Sequence, residues 1–240
     1  MADTAVALVT GGSKGIGRAI ALKFAMEGMR VAITARSRND LEKAAEFIVN
    51  EGGTEPLIIP ADLTDFKAIP KVVGEVLDHW GQIDVLVNNA GAGFLRPFLD
   101  LKLEEFRAMM DLNVTAVFAL TQRVVPHMIE RKSGMIINIA SLAGKNEFKT
   151  GTGYAASKWA LRGFAKSLML EVREHDIRVV TIFPGSVDTS FGSGESPTGT
   201  PKSNQIQPGD IAQVAFTAYT MPLRTMVSEI DMRPSNPKRA

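Results

Sequence analysis

Ala-Val-Ala-Leu-Val-Thr, residues 5–10, runs directly into Gly11-Gly12-Ser13-Lys14-Gly15-Ile16-Gly17 and then into the helix-like text Arg18-Ala19-Ile20-Ala21-Leu22-Lys23-Phe24. A short unbroken apolar run reads as a strand buried on both faces. Glycines then allow a tight turn and let the following helix pack closely on the strand. Free N–H groups and the positive dipole end at that helix start suit a phosphate. A purely structural turn that needs glycine would carry the same letters. Two other phosphate or nucleophile patterns share them. Gly11-x-Ser13-x-Gly15 matches a hydrolase nucleophile elbow, but only one strand can precede Ser13, whereas that elbow follows several. A Walker A loop ends in Gly-Lys-Ser/Thr, and here Gly17 is followed by Arg18-Ala19.

The rest of the chain repeats the same grammar. Apolar runs at 31–35, 56–61, 83–90, 135–140, 177–184 and 226–232 predict further strands. Helical text lies between them: 40–51, a stretch ending at Trp80, 103–131 with a break near Asn113, 154–174 and 209–220. Strand–helix alternation predicts an α/β fold with a parallel sheet and right-handed crossovers. The expected architecture is one doubly wound, Rossmann-type sheet of about seven strands with helices on both faces. Residues 1–240 are read as a single dinucleotide-binding and catalytic domain. Within it, 186–207 is rich in Ser, Thr, Gly and Pro and is read as a substrate lid loop. Residues 234–240 are read as a C-terminal tail.

Composition excludes several function classes. The chain has 240 residues, 45% hydrophobic and 22% charged, enough apolar content for a sizeable core. Lys plus Arg number 27 against 26 acids, a formal net charge of +1, which argues against nucleic acid as a partner. With no cysteine, a disulfide framework, a thiolate metal site and a cysteine nucleophile are excluded. His79, His127 and His175 lie far apart without ligand spacing, so no metal is expected. No stretch approaches the ~18 apolar residues of a membrane span, and the apolar run before Gly11 is short for a signal peptide. A cytoplasmic protein without membrane contact is expected.

Tyr154 and Lys158 stand four apart at the start of predicted helical text, so they share a helix face. A phenol of ordinary pKa about 10 is a poor base near neutrality, and a neighbouring ammonium lowers it. Ser141 ends the fifth predicted strand, at the carboxyl edge where open α/β sheets bind ligands. A solvated helix face would also explain the Tyr–Lys pair.

Taken together and in order, these segments resemble the short-chain dehydrogenases/reductases over nearly the whole chain. Thr10 to Gly17 resembles that family's cofactor turn, with Gly11, Ser13, Lys14, Gly15, Ile16 and Gly17 as binding positions. Asp62, followed by Leu63, is similar to its adenine-contacting aspartate segment, and Asn88-Asn89-Ala90-Gly91 to its NNAG motif. Asn113 matches the helix asparagine that holds a water in the proton relay. Ser141, Tyr154 and Lys158 match the catalytic serine and the YxxxK pair. Pro184-Gly185, Val187 and Thr189 match the segment at the nicotinamide end.

The resemblance implies hydride transfer between a nicotinamide cofactor and a carbonyl or secondary alcohol. Tyr154 would exchange the proton, Lys158 would lower its pKa and hold the ribose, and Ser141 would polarise the carbonyl. A homo-oligomer, dimer or tetramer, is implied as well. NAD sites place an acid at the end of the second strand. Here Thr34-Ala35-Arg36-Ser37-Arg38 has none, and Arg36 with Lys14 suits a 2′-phosphate, pointing to NADP(H). Solvated strand-end charges would look the same.

Substrate is less legible, because one fold serves many substrates. Phe94, Leu142, Phe148 and Phe191 suggest an apolar portion, though phenylalanines at such places are as often core. A 3-oxoacyl-acyl-carrier-protein reductase is one alternative, with Arg131, Lys132 and Arg173 as docking charges. Against it, the chain ends its last strand Glu229-Ile230-Asp231-Met232-Arg233-Pro234, where that group carries a Val-Asp-Gly-Gly type segment. A non-catalytic NADP(H)-binding regulator is a third reading.

Overall fold

The computed structural model describes residues 4–189, 191 and 204–235. Seven strands form one parallel sheet: β1 (Val6–Thr10), β2 (Arg30–Ala35), β3 (Leu57–Pro60), β4 (Val85–Asn88), β5 (Gly134–Ile139), β6 (Ile177–Pro184) and β7 (Glu229–Met232). Their spatial order is β3-β2-β1-β4-β5-β6-β7. The order reverses between β1 and β4, which pair with Ala7 opposite Val85 and Val9 opposite Val87. The carboxyl end of that seam is where a doubly wound sheet opens a crevice for ligand.

Helices cover both faces, so the central strands β1, β4, β5 and β6 are buried along their whole length. On one face α1 (Gly15–Met26), α2 (Arg38–Asn50) and α7 (Pro208–Thr220) pack Ile20, Phe24, Leu41, Ile48 and Ile211 on Ala7, Val9, Val31 and Ile137. On the other, α3 (Ile69–Trp80), α5 (Ala116–Arg131) and α6 (Thr152–Val172) pack Val72, Val76, Leu120, Val124 and Ala165 on Val6, Leu8, Leu86 and Ile136. Alternate residues of each strand thus feed different layers, and both must be apolar. That is why the strands read as continuous apolar runs.

Three boundaries differ from the sequence reading, each for a local reason. The fourth strand stops at Asn88 because the backbone N–H groups of Asn89 and Ala90 turn to donate to Thr10 Oγ1, at 2.9 and 3.0 Å. The helical text of 103–131 divides into α4 (Leu103–Met110) and α5, joined by a π-helical turn at Asp111–Thr115 that contains Asn113. Such turns concentrate at functional sites. The last strand pairs only over Glu229–Met232.

Most of the expected lid, 190 and 192–203, lies outside the described residues. Its two stems meet in a parallel bridge between Val187 and Ile206. Of the expected tail, Pro234 still packs at the sheet edge, since a Cβ on Gly185 would come within 3.4 Å of its Cδ. Residues 236–240 lie outside the described set.

Candidate active site

The glycine turn is shaped by close contact. Gly11 has φ +63°, and a Cβ there would sit 2.9 Å from Asn89 Nδ2. A Cβ on Gly12 would fall 2.7 Å from the Ile33 side chain, and Gly15 has φ +56°. A Cβ on Gly17 would collide with Gly11 O and Asn89 Nδ2. Thr10 and Asn89 lock this turn to β4. Thr10 Oγ1 donates to Val87 O at 3.1 Å, and Asn89 Nδ2 donates to Thr10 O at 2.9 Å. The first turn of α1 has no acid, and its Lys14 N-cap makes no side-chain capping bond. Its N–H groups therefore face the crevice with a positive dipole end and no carboxylate to answer them.

Gly17→Ala is expected to cost about 1–3 kcal/mol, because a methyl is forced against backbone. Gly74→Ala is the control: it lies inside α3, nothing comes within 4 Å of its Cβ position, and it should stabilise by about 0.5–1 kcal/mol. Urea denaturation of both reads the contrast, and equal midpoints would contradict it.

Ser141, Asn113 and the pair Tyr154 and Lys158 come from three different elements and meet at one edge. Ser141 follows β5 and caps the 3-10 turn Leu142–Gly144, its Oγ accepting from Ala143 N at 3.1 Å. Tyr154 and Lys158 lie in the first two turns of α6. The Ser141 hydroxyl also lies near enough to the Tyr154 phenol to draw its pKa down. Lys158 is buried, with Nζ 5.7 Å from the Tyr154 ring centre and donating to Ile139 O at 3.2 Å. Asn113 Oδ1 accepts from Ala92 N at 2.8 Å, while its Nδ2 donates to Ala92 O at 2.8 Å and to Ser157 Oγ at 2.9 Å. Ser157 Oγ in turn donates to Tyr154 O at 2.8 Å. The Asn113 side chain is thus spent on fixing the Gly91–Ala92 segment and α6.

The electrostatics correct one expectation. Tyr154 is not lowered by its lysine. Burial pushes its phenol up to about 12, and the nearby Ser141 hydroxyl offsets only part of this. Burial also lowers the Lys158 ammonium to about 8. Both shifts have the same cause, desolvation of the charged form. The lysine turns Nζ to Ile139 O.

The other sequence-predicted positions divide into groups. Arg36 stands exposed after β2, close enough to Asp62 to help hold its carboxyl low. The larger causes there are two hydrogen bonds from Thr64, opposed by burial. Leu63 is buried in the core beside α3, which leaves only its backbone toward the crevice. Thr189 lies against the glycine turn, its Cγ2 3.4 Å from a Cβ on Gly15. Phe191 stacks at 5.8 Å from Tyr154 and beside Gly93, and Leu142 touches Gly185.

Phe148, expected as a substrate contact, is exposed and folds its ring over Gly151 of its own loop. Phe94 is half-buried, its N–H on Met109 Sδ at 3.4 Å. The three candidate docking charges lie at a distance from these rings. Arg131 and Lys132 precede β5 and Arg173 precedes β6, so all three lie at the amino edge, opposite Ser141. There Arg131 is engaged by Gln82 and by Asp84, the latter at 2.9 Å.

Asn138 and Thr121, which belong to no motif, join Asn88 at the site. Asn88 Nδ2 bonds Asn138 Oδ1 at 3.0 Å and Thr121 Oγ1 at 3.2 Å, a buried polar knot across β4, β5 and α5. A polar letter inside the apolar run of 135–140 is the one signal that could have marked it. Among the described residues, no group of three or more His, Cys, Asp or Glu could hold a metal, and no helix is long and apolar enough to cross a membrane.

A reversing parallel sheet, a glycine turn at its seam and a Ser–Tyr–Lys cluster beside it define a doubly wound α/β protein with polar side chains gathered at the carboxyl edge of its seam. The family model described as short chain dehydrogenase matches residues 5–198. The chain belongs to this family of oxidoreductases. It is 35% identical over 229 residues to an uncharacterized oxidoreductase of Staphylococcus saprophyticus, covering 95% of this chain and 97% of that one. Among solved structures, an alcohol dehydrogenase from the archaeon Thermococcus sibiricus, complexed with 5-hydroxy-NADP, superposes with TM-score 0.91 at 30% identity. That match covers 99% of this chain and 100% of the other. A metagenomic short-chain oxidoreductase in complex with NADP superposes with TM-score 0.84 at 39% identity, covering 98% of each chain.

Proposed function

We propose that the chain is an NADP(H)-dependent oxidoreductase that interconverts a carbonyl and a secondary alcohol, with Tyr154, Ser141, Lys158 and Asn113 as its proton-handling site. The observation that carries this reading is the buried Lys158, its Nζ 5.7 Å from the Tyr154 ring, with Ser141 beside them at the carboxyl edge next to the glycine turn. A binding protein has no need of a buried lysine and a buried phenol side by side, since both cost desolvation.

The residues fit a dinucleotide. Gly11, Gly12 and Gly17 let the turn close tightly on Asn89 and Ile33, and the uncapped start of α1 at Lys14 offers N–H donors to a diphosphate. Ser13 and Ile16 lie in the same stretch. Asp62 and the Leu63 backbone would meet the adenine, and Asn89, Ala90 and Gly91 the adjoining ribose. Pro184, Gly185, Val187 and Thr189 would line the nicotinamide end. When bound, the nicotinamide supplies or accepts the hydride.

The chain's own groups do the rest. A phenol pushed up to about 12 is protonated at every working pH, so Tyr154 can give its proton to a developing alkoxide. Ser141 can donate to the same oxygen and hold it in place. Lys158, charged below about pH 8, faces the phenolate left behind. Phe191 and Leu142 give the substrate an apolar wall. Association into a homo-oligomer and a cytoplasmic setting belong to the same proposal.

Assaying a carbonyl panel, acetoacetyl thioester included, with NADPH and NADH tests it. Turnover of a carbonyl with NADPH supports the reading. Tight NADPH binding with no turnover would replace it by the regulator reading. The pH profile adds a check. Reductive kcat/KM should be flat below about pH 8 and fall above it as Lys158 loses its proton. A profile flat to about pH 10 would contradict the assigned role of Lys158.

A further inference from the structure

The turn carrying Ser141 and the helix carrying Tyr154 and Lys158 are joined at a second place, outside the crevice. Lys145 lies four residues beyond Ser141, at the end of the 3-10 turn. Arg162 lies one helical turn beyond Lys158 on α6. Both reach Glu229 on β7. Arg162 Nε and Nη2 grip the two carboxylate oxygens at 2.7 and 3.0 Å, and Lys145 Nζ sits 2.8 Å from Oε2. Asp231, two residues along the same strand, takes Lys145 at 2.6 Å.

We propose that Glu229 is a positioning residue: it sets the distance between the Ser141 turn and the Tyr154–Lys158 helix by bridging Lys145 and Arg162. The inference rests on the reading of these residues as the proton-handling site.

The surroundings fit that role better than a surface ion pair. Side-chain exposure is 18% for Lys145, 24% for Arg162 and 21% for Glu229, so solvent screens these charges less than a fully exposed pair. The Arg162 hydrogen bond, against the pull of burial and with help from Lys145, holds the Glu229 carboxyl down to about 2. Beneath them lies the fully buried Phe183 ring, with Lys145 Nζ 4.2 Å and the Arg162 guanidinium 5.7 Å from its centre. Two cations drawn to one aromatic ring repel each other, and the Glu229 carboxylate bonded to both offsets that repulsion. Glu229 itself is anchored by backbone pairing opposite Thr181 of β6.

The serine turn meets α6 closely. A Cβ on Gly144 would come 2.9 Å from Lys158 O and 3.4 Å from Phe183. There is no side chain at Gly144 to act as a spacer, so the salt-bridged network supplies the lateral hold. Displacement of a reacting group by about 1 Å can cost ~100-fold in rate.

The test compares Glu229→Gln, Lys145→Met and Lys145→Arg with wild type and with Tyr154→Phe, measuring kcat on the best carbonyl of the panel, NADPH affinity and Tm. Glu229→Gln and Lys145→Met should each lower kcat about tenfold or more while the NADPH Kd stays within about twofold. Lys145→Arg should recover most of the loss. The double variant should be no worse than the poorer single one, because both act through one bridge. Unchanged kcat, or kcat and NADPH affinity falling together with Tm, would overturn the inference and leave only a stabilising contact. If Glu229→Gln does not fold, the Lys145 pair decides by the same criteria. Should Tyr154→Phe be as active as wild type, or wild type be inert with both cofactors, the site reading itself fails. Should Tyr154→Phe be inactive while Glu229→Gln is normal, only the positioning inference fails.

Discussion

Tyr154→Phe is expected to lower kcat by two orders of magnitude or more and to leave NADPH affinity nearly unchanged. The size follows from the role. A positioned general acid contributes roughly 100- to 10,000-fold, and phenylalanine keeps the ring, its packing on Phe191 and the helix, but has no proton to give. The alternative donor nearby is Ser141, whose hydroxyl has an ordinary pKa far too high to yield its proton and whose oxygen already accepts from Ala143 N. Lys158→Met should differ in kind. It removes the ammonium and its bond to Ile139 O, so rate and cofactor affinity should fall together. Single-turnover rates and NADPH titrations on both variants separate the two effects. A Tyr154→Phe enzyme with near-normal turnover would show that another group supplies the proton.

The fold was legible because burial on two faces writes itself as unbroken apolar runs, and β6 was readable to the residue at Ile177–Pro184. Ends of strands were less legible where side chains intervene: Thr10 draws Asn89 and Ala90 out of β4, and no periodicity records that bond. The members of the candidate site were readable by spacing and by resemblance, since Tyr154 and Lys158 must share a helix face. Their protonation was not, because desolvation depends on which elements cover a group. The Glu229 bridge was hidden for another reason. It joins residues separated by 84 positions in one arm and 67 in the other, so only the sheet order makes them neighbours. The departure Glu229-Ile230-Asp231-Met232, read at first as a mismatch in the last strand, is where those carboxylates sit.

Replacing Ala35 by Asp together with Arg36 by a neutral residue is expected to reverse cofactor preference from NADPH to NADH. NADPH differs from NADH by one dianionic phosphate on the adenosine ribose. Arg36 follows β2 directly, and α2 begins two residues later behind the Ser37 cap, whose Oγ accepts from Asp40 N at 3.2 Å. The Arg36 backbone is therefore fixed at the strand's carboxyl end, next to the crevice. Lys14 stands exposed at the start of α1 and can add a point charge from the other side. Arg38 is a weaker candidate, since it reaches toward Glu42 on its own helix at 3.9 Å. A charged hydrogen bond is worth about 1.5–3 kcal/mol net, and exposure at this rim favours the lower figure. Two such contacts give about 3 kcal/mol, roughly a hundredfold preference at about 1.4 kcal/mol per decade. In the double variant the phosphate loses its fork and meets a carboxylate, while the 2′-hydroxyl of NADH gains an acceptor, so attraction and repulsion act in the same direction. Asp62 would lose the Arg36 charge but keep its two Thr64 hydrogen bonds, so the adenine side of the crevice should survive the change. The measurement is kcat/KM for both cofactors in wild type and variant. A wild type that prefers NADH, or a ratio that does not move in the variant, would show that Arg36 is only a solvated charge at the end of β2.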